Sequence, residues 1–450
     1  MKTKTFYMIS LGCAKNTVDS DGMAQLLNRE RYRSVENPTD SEIIIVNTCG
    51  FIEAARTESY QILGEMADIK QKGQLLIAAG CLTQRYGEEV IRRVPGIDGV
   101  LGTRRWMDIV EVVATLREET HPQPLYHLPE VDIIGQDIRG TVSAHIQGAS
   151  AYLKIADGCR RACAYCAIPL IKGTSVSQPL EDVIQQVLFL EENGVREINL
   201  ISQDTTDYGH DLGMKDGLAQ LLEEIARAAP NVDWIRILYA FPGYITDRLI
   251  ETMTAHKNIL PYIDLPLQHA HPQVLRRMQR PANVDWVHKT VAKLRQAMPD
   301  LALRTTFIVG YPGETEEEFQ TLLDFVKEIR FDRVGVFEFS FEHGTPSEPL
   351  GDPIPTEVKA ERKERLMLAQ QDISLARNQA LVGKTLDVLI EGQGMIEGSR
   401  EAISLGRSYR DAPEIDGMVI VEDELPVGEI VPVKITGAMV YDLVGVVGIG

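Results

Sequence analysis

Long apolar runs are missing from this chain of 450 residues. No stretch approaches the eighteen or so consecutive apolar residues that a bilayer-spanning helix needs, so we expect no membrane span. The apolar stretch at residues 5–12 is short and lacks the small-residue cleavage pattern of an export signal. We interpret it as a first β-strand and expect a cytoplasmic protein.

Positive charge is also scarce. The chain has 46 Lys and Arg against 65 Asp and Glu, a formal net charge of −19. A broad nucleic-acid surface needs clustered Lys and Arg that release counterions, so we expect no binding to bulk nucleic acid. A local patch is still compatible with RNA contact, and the acidic balance favours a basic protein partner.

Cysteine is limited to six residues, namely Cys13, Cys49, Cys81, Cys159, Cys163 and Cys166. The even number permits three disulfides. A chain of this length without a secretion signal, however, belongs in a reducing compartment, where disulfides are rare. Clustered cysteines in such proteins more often bind metal.

The last three cysteines are crowded into a loop with the spacing Cys-x3-Cys-x2-Cys over 159–166. A disulfide cannot use three thiols, and zinc prefers four ligands, whereas none of the nine histidines lies in this loop. An iron–sulfur cube held by three cysteines leaves one iron open to an outside ligand. The spacing therefore favours such a cube, with zinc-bound or unrelated cysteines as the alternative.

The other three cysteines each follow a predicted strand. These strands cover 5–11, 42–46 and 74–79, with helices between them, which predicts a parallel sheet covered on both faces. The carboxyl ends of such strands share one edge, where open α/β sheets bind ligands. We expect Cys13, Cys49 and Cys81 to converge there as a second three-thiolate site. Three buried core cysteines are the alternative.

Strand and helix patterns alternate again between residues 150 and about 345, with six predicted strands, and residues 385–447 read as a small β-barrel. Pro-rich residues 118–149 interrupt the pattern. The predicted division is 1–117, a linker at 118–149, 150–383 with a connecting helix, and 384–450. The charges of that helix, from Thr356 to about Val382, are interpreted as a solvated face.

These motifs resemble the radical S-adenosylmethionine (SAM) methylthiotransferase family. The resemblance rests on the 159–166 loop with its aromatic Tyr165, on Ser10–Asn16, on Asn47–Ile52 and on Ala79–Cys81. It implies an α/β chain with an amino-terminal parallel α/β domain, a central partial (β/α)6 radical SAM barrel and a carboxy-terminal TRAM-like barrel. Residues 407–417 are similar to the branch that modifies an aspartate of small-subunit ribosomal protein number twelve.

The resemblance also implies the cofactors. Two 4Fe-4S clusters are expected, an auxiliary one on Cys13, Cys49 and Cys81 and one that binds SAM on Cys159, Cys163 and Cys166, and two SAM molecules are used. The methylthio group would go to the β-carbon of the aspartate, with no side chain needed as a catalytic base. Candidate SAM contacts are Tyr165, Ser202, Gln203, Arg304 and Gly310.

Two of these contacts have other interpretations. The turn 310–315 follows a predicted strand and opens a helix, so its amides can approach a carboxylate, but a plain strand-to-helix turn has the same sequence. Arg304 suits a carboxylate fork or a structural ion pair equally. His121, His127 and His145 are interpreted as solvated loop residues rather than ligands.

Charge selects among the substrates. Residues 385–450 have 12 Asp or Glu against 4 Lys or Arg, which repels phosphate and favours a basic ribosomal protein. A tRNA adenosine methylthiotransferase is the alternative enzyme, and a non-enzymatic iron–sulfur scaffold is the alternative of another class. An electron-donor protein is an expected partner.

Overall fold

The computed structural model describes residues 4–118, 124–137, 139–395 and 402–448. Two units can be distinguished by their internal contacts. The first unit holds the described residues up to His145 together with Tyr152–Gln178 and Ser340–Pro349, and the second holds Ile146–Ala151, Pro179–Phe339 and the described residues from Leu350 onward. The loop with Cys159 therefore groups in space with the amino-terminal region.

Strands and helices alternate along the first unit. In chain order they are β1 (Thr5–Ser10), α1 (Ala14–Arg29), β2 (Arg33–Ser34), β3 (Ile43–Thr48), α2 (Glu53–Ile69), β4 (Leu75–Gly80), α3 (Cys81–Tyr86), α4 (Glu88–Arg93), β5 (Gly99–Gly102), α5 (Ile109–Glu118), β6 (Leu125–His127), β7 (Ala144–Gln147), β8 (Ser150–Lys154), β9 (Ala156–Asp157), α6 (Ile168–Lys172) and β10 (Val176–Ser177). Short 3₁₀ helices cover Pro38–Asp40 and Thr103–Asp108. Strand β7 begins in the first unit and ends in the second, and strand β8 begins in the second unit and ends in the first.

The first sheet has the strand order β2-β1-β3-β4-β5-β6, and every pairing in it is parallel. Strand β3 is buried along its whole length, as its continuous Ile and Val run requires of a central parallel strand. Apolar residues pack on both sides of the sheet, around Phe6 and Ile45 on one and around Ile44 and Val46 on the other. The predicted parallel sheet is confirmed.

The second unit continues with α7 (Leu180–Glu192), β11 (Glu197–Ile201), α8 (Gly217–Ala228), β12 (Trp234–Ile237), α9 (Asp247–Ala255), β13 (Ile259–Asp264), α10 (Pro272–Arg277), α11 (Val284–Ala297), β14 (Ala302–Val309), α12 (Glu316–Ile329), β15 (Arg333–Glu338) and α13 (Thr356–Gln379). Its 3₁₀ helices are Thr205–Asp207 and Glu348–Leu350, the latter shared at the boundary of the units. Strands β15-β14-β13-β12-β11 lie side by side and parallel, and beside β11 comes the strand that contains Ser150 and Ala151. The whole sheet has seven strands in the order β15-β14-β13-β12-β11-β8-β7. The six predicted strands are all present, and β7 adds one more.

The chain ends in a closed five-stranded barrel with the order β16-β17-β18-β20-β19. Its strands are β16 (Thr385–Met395), β17 (Ala402–Ser408), β18 (Val419–Val421), β19 (Ile430–Ala438) and β20 (Leu443–Val447). Buried Val388, Val419, Val433 and Leu443 fill its interior. The predicted small β-barrel is therefore confirmed.

One interpretation was wrong. The charges of α13 are not simply a solvated face, because Lys359 and Arg362 are buried. Arg362 donates to Glu314 at 2.8 Å and Lys359 donates to the Phe339 carbonyl at 3.2 Å. A helix that packs on a sheet buries even charged positions when each finds a partner.

Among the described helices, none is long and apolar enough to span a bilayer.

The end of β17 and the segment that follows it bind strands of their own unit. Arg407 donates to Glu197 at 2.5 Å, and Arg333 pairs with Asp411. Glu197 and Arg333 are the first residues of β11 and β15. Asp416 accepts the Tyr262 hydroxyl at 2.7 Å. The terminal barrel is therefore joined to strands β11, β13 and β15 by buried polar and charged contacts.

Candidate functional site

The carboxyl edge of the first sheet brings three cysteines together. Ser10 pairs in register with Asn47, and Asn47 pairs with Ala79, so the three strands end level with one another. Cys13 and Cys81 lie at the start of α1 and α3, and Cys49 follows β3. A Cβ added to Gly12 would lie 2.7 Å from the Cys49 Cβ, so the loop before Cys13 touches Cys49 directly.

Two asparagines hold these loops in place. Asn16 Nδ2 donates to the carbonyls of Leu11 at 2.7 Å and of Asn47 at 3.1 Å. In return, Asn47 Nδ2 donates to the Asn16 carbonyl at 2.9 Å. Both side chains are buried, and the hydrogen bonds of their Nδ2 groups to backbone carbonyls add to the rigidity of the edge. The motif asparagines thus fix the geometry around the thiols.

The electrostatics of the thiols reflect their burial. Burial raises the pKa of the Cys81 thiol above its ordinary value, Lys172 opposes that rise, and the sulfurs of Cys13 and Cys49 add to it. Burial likewise raises the pKa of Cys49, with a smaller contribution from Cys13. Burial is thus the main cause of the raised pKa of both thiols, and the neighbouring sulfurs add to it.

The second trio lies on a loop whose backbone is fixed by close contacts. Gly158 has a φ of +77°, and an added Cβ would overlap the Thr174 carbonyl oxygen. The amide of Cys159 donates to the Gly173 carbonyl at 3.0 Å, and the amide of Cys166 donates to that of Cys163, also at 3.0 Å. Only glycine fits at the entry to this loop.

The two trios meet inside the first unit. Cys81 packs against Ala167 and Ile171, and Ala167 directly follows Cys166 in the chain. The cysteine that opens α3 therefore touches the helix that closes the second cysteine loop.

Residues 340–349, which we name the bridging segment, contact both cysteine loops. Glu342 is buried and accepts from Arg85 at 2.7 Å, and it also pairs with Arg56. Arg85 donates in addition to the carbonyl of Gly50, next to Cys49, at 3.0 Å. At the other end, the Ser347 amide donates to the Ala164 carbonyl at 2.9 Å.

The donor set suits iron–sulfur cubes. No disulfide joins any of the six cysteines, all of which the structure describes. Among the described residues, no three His, Cys, Asp or Glu side chains are arranged around a single metal ion. A cube takes each thiolate on a different iron, so its ligands do not converge on one point. The close approach of the Gly12 backbone to the Cys49 side chain leaves room for such a group beside the thiol.

The candidate SAM contacts lie in different surroundings. Tyr165 is half-buried within the second cysteine loop, Ser202 is buried directly after β11, and Gln203 beside it is half-buried. The Gly310 amide donates to the Glu314 carboxylate at 3.0 Å, which closes the 310–315 turn on itself.

Arg304 has two carboxylate partners. It donates to Asp264 at 2.9 Å and to Asp416 at 3.3 Å. Burial alone would lower the pKa of Arg304, but Asp264 and then Tyr262 and Asp416 raise it. The guanidinium is therefore engaged as the structural ion pair that the sequence left open.

Four charged residues of the site were missed in the sequence. Asp19, Lys154, Asp157 and Lys172 are buried and joined by ion pairs. Lys154 and Asp157 carried a signal, because they are charged residues at either end of the apolar stretch that leads into the second cysteine loop. Nothing in the local sequence around Asp19 or Lys172 indicates that these residues belong to the site.

His127 and His145 bind carboxylates, and they lie in β6 and β7 rather than in the solvated loop that the sequence predicted. His127 contacts Asp108 at 2.8 Å, and His145 contacts Asp21 at 2.7 Å. His121 lies outside the described residues.

Three family models match the chain. Residues 5–102 match the uncharacterized protein family UPF0004, residues 153–326 match the radical SAM superfamily, and residues 382–447 match the TRAM domain. The radical SAM match spans the second cysteine loop and strands β11 to β14 of the seven-stranded sheet.

Curated relatives align over nearly the whole chain. The ribosomal protein uS12 methylthiotransferase RimO of Chloroflexus aurantiacus is 47% identical, with 98% of this chain and 99% of that protein covered. The protein of the same name from a Roseiflexus species is 44% identical, with 98% and 96% covered. That of Geobacter sulfurreducens is 42% identical, with 97% of each covered.

Solved structures share the fold at low identity. The radical SAM methyltransferase TsrM of Kitasatospora setae, with cobalamin and a [4Fe-4S] cluster bound, gives a TM-score of 0.60 at 11% identity and covers 77% of this chain and 74% of its own. The cobalamin-dependent SAM radical enzyme OxsB gives 0.51 at 12% identity, covering 82% of this chain and 56% of its own. These likenesses concern the fold alone.

Proposed function

The chain belongs to the family of ribosomal protein uS12 methylthiotransferases named RimO, and we propose on that basis that it attaches a methylthio group to the β-carbon of an aspartate in uS12. It is a radical SAM methylthiotransferase, an enzyme of the transferase class. The observation that carries the proposal is the meeting of two cysteine trios in one unit, where Cys81 packs on Ala167.

We propose two 4Fe-4S clusters. The radical SAM family implies one such cluster with SAM, which we assign to Cys159, Cys163 and Cys166. A second is proposed on the trio at the edge of the first sheet, Cys13, Cys49 and Cys81. When bound, these groups and SAM supply the electron transfer, radical and sulfur chemistry that protein side chains lack.

The chain's own residues hold the reacting groups and keep water out. Asn16 and Asn47 fix the first trio, and Gly158 fixes the second. Cys81 and Cys163 are buried, so these positions are sheltered from solvent. Alignment of this kind lowers the barrier without any side chain acting as a base, and we assign no catalytic side chain.

For SAM itself we propose contacts by Tyr165, Ser202, Gln203 and the turn at Gly310. Their support is the resemblance together with their places in the cysteine loop and directly after β11 and β14. The pairs with Asp264 and Asp416 support a structural role for Arg304 instead.

The substrate side of the proposal rests on charge. The acidic excess of residues 385–450 favours a basic protein over a phosphate backbone. We therefore propose a basic ribosomal protein as substrate, an electron-donor protein as a partner, no bulk nucleic-acid binding and a cytoplasmic location. The boundaries proposed for the domains are 1–117, 150–383 and 384–450, with 118–149 as a linker.

Mass spectrometry of uS12 from a strain that lacks this gene tests the function. The methylthio group should be absent, and wild-type protein should restore it. Cys81→Ala should fail to restore it while still cleaving SAM to 5′-deoxyadenosine in vitro, whereas Cys159→Ala should lose both. Unmodified tRNA adenosines beside normal uS12 would overturn the substrate. Zinc in place of about eight iron atoms per chain in protein purified without oxygen would overturn the clusters.

A further inference from the structure

The buried residues Asp19, Lys154, Asp157 and Lys172 form what we name the charged quartet. Lys172 Nζ donates to Asp157 Oδ2 at 2.9 Å and to Asp19 Oδ2 at 3.1 Å. Lys154 Nζ donates to the same Asp157 oxygen at 2.8 Å and also pairs with Asp19. None of the four side chains is more than 7% exposed. Two ammoniums and two carboxylates cancel, as burial demands.

The quartet connects the two cysteine loops. Asp19 lies on α1, the helix that begins directly after Cys13. Asp157 precedes Gly158 and Cys159, and its Oδ1 accepts the Gly158 amide at 3.0 Å. Each lysine bonds to both carboxylates, so the quartet holds the entry to the second loop against the helix that follows the first.

The two lysines are alike within the quartet but differ in what else they face. Lys172 ends α6, whose Ala167 and Ile171 pack against Cys81. Burial would lower the pKa of Lys172, and Asp157, Asp19 and then Cys81 raise it. For Lys154, burial again lowers the pKa, while the groups that raise it are Asp157 and Asp19.

Carboxylates also contribute to the electrostatic surroundings of the first trio. Besides Cys13 and Lys172, Glu58 acts on the Cys49 thiol and Asp19 acts on the Cys81 thiol, and both of these carboxylates are negative. Lys172 lowers the pKa of both the Cys49 and the Cys81 thiol, and it ends the helix that packs against Cys81. A fixed positive charge beside ionised sulfurs is strongly favourable where water is excluded.

We propose that Lys172 is a positioning residue for the cluster on Cys13, Cys49 and Cys81. It holds Cys81 against α6 and offsets the negative charge of the thiolates. This inference rests on the proposed function, because it presumes a cluster on Cys13, Cys49 and Cys81. A nearby cation stabilises the reduced, more negative state of a cluster, so Lys172 should raise its reduction potential.

The test isolates that cluster. In a chain with Cys159, Cys163 and Cys166 all changed to Ala, only the cluster on the first trio can form. Iron content and an EPR-monitored redox titration then report that cluster alone. Lys172→Met should lower the midpoint potential and speed the loss of iron to a chelator, and Lys172→Arg should restore both. Lys154→Met is the matched control, since it removes an equally buried charge from the same quartet, and it should shift the potential by less than half as much.

An unchanged potential in Lys172→Met, or equal shifts from the two lysines, would overturn the role of Lys172 while the cluster itself stands. Absence of iron from the triple-alanine chain would overturn both the cluster on Cys13, Cys49 and Cys81 and the role of Lys172. Far-UV circular dichroism monitors folding of each variant, and Lys172→Gln supplies the same comparison should the methionine variant fail to fold.

Discussion

Arg85 and Glu342 are 257 residues apart in the chain, and the arginine Nη1 donates to the glutamate Oε2 at 2.7 Å. The pair joins the bridging segment to the loop of Cys49, and Arg56 reaches the same carboxylate. Glu342→Ala would leave two guanidiniums facing each other without a counter-charge. Breaking a buried pair costs about 3–5 kcal/mol, and urea unfolding of the variant should show a loss of that order.

The control for this prediction lies in the same segment. Glu348 pairs with His343 at 2.8 Å, but both side chains are well exposed. Glu348→Ala should leave the unfolding midpoint almost unchanged. Equal losses in the two variants would mean that the Glu342 contacts contribute no more than a surface pair.

Gly158→Ala should remove the SAM-binding cluster. The new Cβ would overlap the Thr174 carbonyl, and the left-handed φ of +77° adds strain. We expect the iron content of protein purified without oxygen to fall by about half, from about eight to about four atoms per chain. Gly194→Ala is the matched control, because Gly194 has a φ of +78° and no atom lies within 4 Å of an added Cβ. That control should keep its iron and lose only about 1 kcal/mol. Full iron in Gly158→Ala would contradict the prediction.

Asp416→Ala should weaken the attachment of the terminal barrel. The change strips partners from the Tyr262 hydroxyl, the Ala412 amide and Arg304, although Arg304 keeps Asp264. A buried donor left unsatisfied costs about 1–3 kcal/mol, to be read from the urea midpoint. Glu422→Ala, at an exposed site of the same acidic barrel, should have no such effect, and a similar loss there would refute the assignment.

Acid should destabilise the second unit through Glu197. Burial would raise the pKa of Glu197, but Arg407 and Arg236 hold it at about 2, below its ordinary 4.5. A lowered folded-state pKa stabilises the protein above the unfolded pKa, and the benefit is lost as pH falls from about 5 towards 2. The loss should be roughly 3 kcal/mol.

Urea unfolding of the metal-free chain at a series of pH values measures this effect. Glu197→Gln should be less stable at neutral pH and should lack this part of the acid-induced loss. Glu391→Gln, which alters a more exposed partner of Arg407, should keep most of it. An unchanged acid profile in Glu197→Gln would show that other carboxylates dominate.

The sequence was sufficient to predict the parallel sheet and its cysteine edge, because the relevant signals are local. Ile43–Val46 is a continuous apolar run within β3, and Cys49 directly follows the last residue of that strand, Thr48. Parallel strands share a carboxyl edge whatever their order, so the convergence of the three loops needed no knowledge of long-range contacts.

The contacts of Arg304 and Lys172 could not be predicted in this way. Arg304 meets Asp416, which is 112 residues away, and Lys172 meets Asp19, which is 153 residues away. No periodicity links such positions, and isolated charges in a sequence usually lie at the surface. Only the folded chain shows that they are buried and paired.

The bridging segment also sets an order of events. A ribosome makes the chain from its amino terminus, so Arg85 cannot pair with Glu342, nor Ala164 with Ser347, until the bridging segment has been synthesised. Both cysteine loops lack these contacts until then, and whatever machinery delivers iron before that moment meets loops that are less restrained.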